Sequence, residues 1–399
     1  MLRRPIGWVI PYVMLWYLVG LLPFQPTDLD IFFWPSAKMA IAGQPLMVYA
    51  ANGQDAYPNA NGPVSLLPLT LAGLLLQTAG QLDSLPQRRA VALAVFSLFV
   101  LLMAREAVAA IERIRGGPLP TYMKLLAYAV LTLGTPIWQS VAGYGHIEQP
   151  IEIWLVLVAV RYIQTEKMMP AGIAFGLAVL SRSSAVLLSI PLGLAALRAG
   201  PTKTIRLFAA TAAIGLAVLL PLVVADSSDV IHSLFTYRGG LVVGAGSVWS
   251  LTHGTSLEQV AQHWDIAAIV AVVLASSLWL ATRPGGLDQG RLFAGLTLAS
   301  AGFAMLAKTV WPYYFFEPYV FGTVWAIGSW QPASGLIKLG LPALAFSVFG
   351  LVAEIGSDPI LTPIQVQIEG AGMFAMLGLT AVWIAWNAAA HAAVQEAWK

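Results

Sequence analysis

Two carboxylates, Asp28 and Asp30, stand two residues apart immediately after the first hydrophobic run, in a stretch that continues through Trp34, Pro35, Ser36 and Ala37 to Gly43. A carboxylate fixed at a membrane face can serve as general base toward a hydroxyl, an effect worth roughly 10²–10⁴ in rate. The same position also has a structural use. Residues 31–42 read as a helix with Asp30 at its N-cap and Gly43 at its C-terminal stop, so the carboxylate would accept backbone N–H bonds in the positive end of the helix field. Both roles are compatible on Asp30, and Asp28 is the alternative base because a shift of two residues leaves it at the same face.

A second chemical cluster lies in the turn Gly143-Tyr144-Gly145-His146-Ile147-Glu148-Gln149-Pro150. Pro150 in a first helical turn, with Glu148 near the cap and Glu152 four residues on, is the pattern of a helix N-terminus. The glycines beside His146 leave its ring accessible. His146 with Glu148 or Glu152 would supply two or three ligands to a divalent metal, without a recognisable ligand spacing. His232, His253 and His263 are scattered and form no cluster.

The elements that must position these groups are set by composition. With 58% hydrophobic and 10% charged residues over 399 positions, the chain reads as a multi-span membrane protein. The absence of cysteine excludes disulfides, thiolate metal sites and cysteine nucleophiles. Apolar segments fall at 6–23, 64–80, 90–110, 125–141, 151–164, 169–182, 184–198, 206–225, 266–282, 291–307, 315–330, 335–354 and 370–388. The first reads as a retained helix with Arg3 and Arg4 on the cytoplasmic side. If all thirteen crossed, Arg105, Arg113, Arg115 and Lys124 would lie outside, against the cytoplasmic preference of basic residues. Letting 64–80, with its Pro63 and Pro68, lie in the outer leaflet gives about 12 transmembrane helices and two cytoplasmic termini.

This topology leaves Lys38, Arg88, Arg89, Arg182, Arg238 and Lys308 on the extracytoplasmic side, together with most acidic residues. The expected fold is therefore all-α, a polytopic helix bundle in a single integral membrane domain. Extracytoplasmic loops 25–88 and 226–265, which mix aromatic and polar residues, would cap a cavity.

Here the residues resemble a family. Asp30, Trp34, Ser36, Ala37 and Gly43 look like the first-loop signature of the GT-C glycosyltransferases, closest to bacterial polyprenyl-phosphate-mannose-dependent mannosyltransferases. Tyr57-Pro58-Asn59-Ala60-Asn61-Gly62-Pro63, Gly145-His146-Ile147-Glu148-Gln149 and Ala171–Leu177 with Ser181-Arg182 follow in the order that family shows. The resemblance covers most of the chain and rests on the order and outward placement of its motifs together. It departs at Trp311-Pro312-Tyr313-Tyr314, where many relatives have histidine after the tryptophan, and at His146, where relatives commonly have a Gly-Gln pair, so that a titratable ring replaces an amide.

The resemblance implies inverting transfer of a sugar, mannose by default, from a polyprenyl-phosphate donor to a lipid or glycan hydroxyl at the extracytoplasmic face of the bacterial cytoplasmic membrane. Asp30 matches the family's catalytic aspartate. The leaving group would be a phosphate near hydrocarbon, so cations are required: Arg182 and Lys308, each at the outer end of an expected helix, are the candidates to hold it. Tyr57, Asn59, His146, Glu148 and Tyr313 would position sugar and acceptor. No metal is required where side chains neutralise the phosphate, and a divalent ion remains compatible with the sequence.

Other classes are set against this one. No G-x-x-x-x-G-K-[ST] motif is present, which argues against an ATP-driven pump, and nothing points to nucleic acid. A secondary transporter or flippase of a lipid-linked or small polar substrate is the alternative. It would place ionisable groups at mid-membrane and would not need Asp30.

Overall fold

The computed structural model describes residues 6–23, 28–50, 59–237, 240–241, 243–244, 247–252, 255–329, 336–356 and 363–396. Every described element is helical, and each of the thirteen apolar segments overlaps a helix. Five helices are long and apolar enough to cross a membrane: Leu85–Arg115, Thr121–Tyr144, Pro201–Ala225, His263–Ala281 and Ile364–Ala389. Shorter apolar helices stand between them, including Met168–Val179, Ser183–Leu197 and Leu341–Glu354. The chain is thus an all-helical bundle that includes helices with the length and apolar character of membrane spans.

Burial separates an inner group of helices from an outer one. Glu148–Gln164, Gln289–Leu306 and Phe316–Ser329 are enclosed nearly all round. The outer helices present large apolar side chains outward, among them Leu216, Val224, Leu379 and Trp386. Such a surface is unfavourable in water and suited to lipid.

Three local features position the chemistry. The Leu85–Arg115 helix has 31 residues, longer than a ~30 Å hydrocarbon core requires. Its first turns, carrying Arg88 and Arg89, therefore reach past the apolar run to the first loop. It starts after Ser84 and ends at Gly116, whose φ of +70° suits glycine at a helix stop.

The second feature is a break in the Thr121–Tyr144 span. Gly134 is extended and Pro136 follows, which interrupts the backbone ladder and frees carbonyls. Tyr12 donates to the Thr132 carbonyl, which Pro136 leaves without its helical donor, at 2.9 Å, and Tyr319 adds a 2.6 Å bond to the Val130 carbonyl, which already accepts from Gly134 N–H at 3.1 Å. A Cβ on Gly134 would fall 1.9 Å from the Tyr319 hydroxyl, so glycine is needed for that bond. Beyond the break, a π turn over Gln139–Tyr144 leads to Gly145.

The third is the first loop, where the structure corrects the expected helix over 31–42. Helical backbone begins at Asp28, runs as a π turn over Leu29–Phe33 and becomes α-helical only over Trp34–Ile41. Pro35 lacks an N–H and so cannot continue the ordinary ladder, and Trp34 reaches back to the Leu29 carbonyl instead. Asp28, rather than Asp30, holds the N-cap position, and its side chain makes no capping bond. Gly43, at φ +84°, ends the turn as expected. The 64–80 segment is a helix over Leu66–Thr78, packed on this element through Gly73 against Ile41 and Trp34.

Candidate functional site

The first loop and the His146 turn are pressed together at Gly145. That residue has φ +79°, and a Cβ there would lie 2.4 Å from Leu29 Cβ. Glycine satisfies both the left-handed backbone and the close approach. The contact carries Asp28 onto His146: Nε2 is 2.7 Å from Asp28 Oδ2, and Nδ1 is 2.6 Å from Glu148 Oε1. Tyr313 lies against the imidazole with ring centroids 3.6 Å apart, and Phe33 meets its edge.

Burial disfavours a charged His146, yet the Glu148 charge and the hydrogen bonds from Asp28 and Glu148 outweigh it and hold the histidine pKa above its ordinary value. An imidazolium with both N–H groups donating to carboxylates offers no lone pair to a metal. Among the described residues, no group of three or more His, Cys, Asp and Glu is arranged to hold a metal ion.

The chain of charges continues inward from Glu148. Arg182 Nη1 lies 3.8 Å from Glu148 Oε1 and 3.0 Å from Glu317 Oε1, while its Nε donates to Ser184 Oγ at 2.9 Å. The guanidinium also sits over the rings of Tyr313 and Tyr314, at 5.8 and 5.7 Å. Gln149 ties the group together, donating to the Tyr313 carbonyl at 2.8 Å and to Glu317 Oε1 at 3.3 Å, and accepting from Ser140. Glu152 contacts Glu317 from the next turn of the same helix. Glu148 and Glu317 lie in the first turns of their helices, where the positive end of the backbone dipole favours negative charge.

Arg182 owes its place to the chain just ahead of it. Gly62 N–H donates to Ser181 O at 3.2 Å and Val64 N–H to Leu180 O at 3.1 Å, so residues 62–64 brace the turn in which Arg182 adopts extended backbone. A Cβ on Gly62 would stand 1.8 Å from the Leu180 carbonyl oxygen, so only glycine fits that approach. Asn59, just upstream, is fully buried; its Oδ1 accepts from Asn61 N–H at 3.1 Å and its Nδ2 has no hydrogen-bond partner.

Asp30 faces a different cation from those expected. Arg89 grips its Oδ2 with Nε at 2.8 Å and Nη2 at 2.6 Å, leaving Oδ1 buried without a hydrogen-bond partner. The pair Asp28 and Asp30 is thus split between two partners, His146 and Arg89.

The structure brings Asp28, His146, Glu148, Arg182 and Tyr313 into one network. Lys308 is buried at the end of the Gln289–Leu306 helix, where its carbonyl accepts from Gly244 N–H at 2.8 Å and its charge faces Asp265. Arg182 faces Glu317 and Glu148 through Nη1, and both of its Nη atoms are buried without a hydrogen-bond partner. Tyr57 and Arg238 lie outside the described residues.

Sequence reasoning missed Glu317 and the pairing role of Arg89, and it treated Glu152 as a helix-start residue or a metal ligand rather than as a partner of Glu317. A signal existed for the two glutamates: an acidic side chain in an apolar segment of a membrane protein demands a partner. For Arg89 the signal was its place among the six basic residues left outside. No protein-family model and no curated protein matches the chain.

Proposed function

We propose that this protein is a membrane glycosyltransferase of the GT-C kind, moving a sugar from a polyprenyl-phosphate donor to a hydroxyl of a lipid or glycan acceptor, with inversion, at the extracytoplasmic face. The observation that carries the reading is the state of Asp30. Its carboxylate is oriented through one oxygen by Arg89, while the other, Oδ1, is buried with no partner, so the acceptor hydroxyl has to enter that buried position to give up its proton. The acceptor hydroxyl would lose its proton to Oδ1 as its oxygen attacks the anomeric carbon, and the sugar–phosphate bond breaks with the electron pair leaving on the lipid phosphate.

The remaining residues support distinct parts of that reaction. His146 and Glu148 fix Asp28 and the aromatic ring of Tyr313 beside the first loop. Asn59 Nδ2 is an unused donor suited to a sugar hydroxyl. Lys308 is assigned to the leaving phosphate. Arg182, which the resemblance would also place there, is already committed to two carboxylates and acts through them on Tyr313 and Gln149.

The alternative of a secondary transporter rests on the buried Glu152, Arg182 and Glu317 group, because intramembrane ionisable residues often line ion pathways. Those residues sit near helix N-termini at the Asp28 end, which favours the enzyme. The deciding experiment follows release of polyprenyl phosphate from labelled polyprenyl-phosphate-mannose in membranes carrying the protein. Glucose, galactose and arabinose donors run in parallel. Turnover with any donor, absent from empty membranes, is the expected result, and none with all four would overturn the enzyme reading.

A further inference from the structure

Behind the proposed acceptor face, a small cavity is lined by Glu152, Glu317, Ser184 and Ser300 and closed by apolar residues including Leu188 and Phe303. It encloses about 10 Å³ of space for a solvent-sized particle, which is room for one water or one ion of similar size. We infer that this cavity is a binding site for a single monovalent cation of sodium size.

Charge balance comes first. Glu152 and Glu317 lie within hydrogen-bond reach of each other with Arg182 beside them, so one negative charge is left over unless a proton or a cation lies between the carboxyls. Such a charge is costly in a bundle surrounded by hydrocarbon unless a positive partner meets it. A monovalent cation balances it, whereas a divalent one would overshoot.

The second observation is an unused ligand atom. Glu152, which lines the cavity, is 1% exposed, and its Oε2 has no hydrogen-bond partner. Two hydroxyl oxygens complete the set. Ser300 gives its proton to the Leu296 carbonyl at 2.8 Å, and Ser184 accepts from Arg182 Nε, so each oxygen keeps a lone pair for a cation. A proton shared between the two carboxylates would also balance the charge, but it needs neither the cavity nor the two hydroxyls. Hard oxygen donors of this kind suit a hard cation.

The site lies apart from Asp30 and goes beyond the glycosyltransferase reading, so either can fail alone. Its test uses the purified full chain in detergent at fixed pH and constant ionic strength, with sodium chloride exchanged stepwise for choline chloride. Thermal unfolding and binding of labelled sodium are both followed. The unfolding midpoint should rise with sodium and then saturate, as expected when an ion binds only the folded state, with about one labelled sodium per chain. Glu152→Gln should abolish the sodium dependence. Ser300→Ala, whose lost hydroxyl only back-bonds to its own helix, should fold and shift half-saturation to several-fold higher sodium. Equal midpoints in sodium and choline for the wild type would leave a shared proton as the counter-charge and overturn the proposal. Retention of labelled sodium by both variants would do the same.

Discussion

His146 Nε2 lies 2.7 Å from Asp28 Oδ2, joining residues 118 apart in sequence across the contact between the first loop and the turn before the Glu148–Gln164 helix. Since the other ring nitrogen is held by Glu148, the imidazole acts as a charged clasp between two chain segments. Release of its proton removes one of the two donors and the charge that both carboxylates face.

A pH dependence follows with a definite sign. Glu148 and Asp28 raise the folded-state pKa of His146 above the unfolded value of 6.5 despite burial, so the folded protein binds the proton more tightly. The stabilisation is fully present below about pH 6.5 and is lost as pH rises through the raised value. Unfolding midpoints measured from pH 6 to pH 10 should fall across that window. His146→Gln should be less stable at pH 6 and should flatten the profile; an unchanged slope in that variant would remove the clasp.

The two aspartates should separate by function. Asp30→Asn keeps the shape of the side chain but loses the basic oxygen and the charge that Arg89 faces, so turnover per folded molecule should drop by about 10²–10⁴-fold while stability also falls. Asp28→Asn weakens the His146 contact and should lower stability at pH 6 more than it lowers turnover. If Asp28→Asn alone abolishes turnover, the class of reaction stands and the base moves to Asp28.

Much of the architecture was legible before any coordinates. Each of the thirteen apolar runs marked a helix, because a membrane-spanning chain must satisfy its backbone within helices. Residue types at the site were legible for the same reason: charges are scarce, so Asp28, Asp30, His146 and Arg182 stood out. Pairings were not legible. Asp30 and Arg89 are 59 residues apart, and only the projection of the Leu85–Arg115 helix past its apolar run makes them meet. The π turn was also hidden, since periodicity cannot say whether the ladder skips four residues or five. Pro35 was the visible cause, and its consequence was to move the N-cap from Asp30 to Asp28.

Arg182 should be among the least replaceable residues in the bundle. Arg182→Met leaves Glu148, Glu152 and Glu317 buried without their shared cation, and breaking a buried pair from one side typically costs about 3–5 kcal/mol. Glu317→Gln should cost less, because the amide still accepts from Gln149 and Glu148 still faces the guanidinium. Combining the two changes should cost less than the sum of their separate effects, as groups in one network couple. Unfolding free energies of the wild type, both single variants and the double variant provide the test. Strict additivity would mean that the 3.0 Å contact carries no coupling.

Gly145 tests whether the close approach of the two segments is what assembles the site. An alanine there meets two separate penalties. The left-handed backbone costs a non-glycine residue about 1–2 kcal/mol. The new Cβ would also fall 2.4 Å from Leu29 Cβ and 2.9 Å from Leu29 N, and backbone atoms cannot rotate out of the way as a side-chain tip can. The turn and the first loop must therefore separate, which pulls Asp28 away from His146. Gly145→Ala should lower the unfolding midpoint, flatten its pH profile as His146→Gln does, and raise amide exchange across residues 28–43. Gly116→Ala is the matched control: it has φ +70° and nothing within 4 Å of a new Cβ. That variant should show the backbone penalty alone, with the pH profile intact. If both variants behave alike, backbone strain accounts for the loss and the Leu29 contact does not hold the site together.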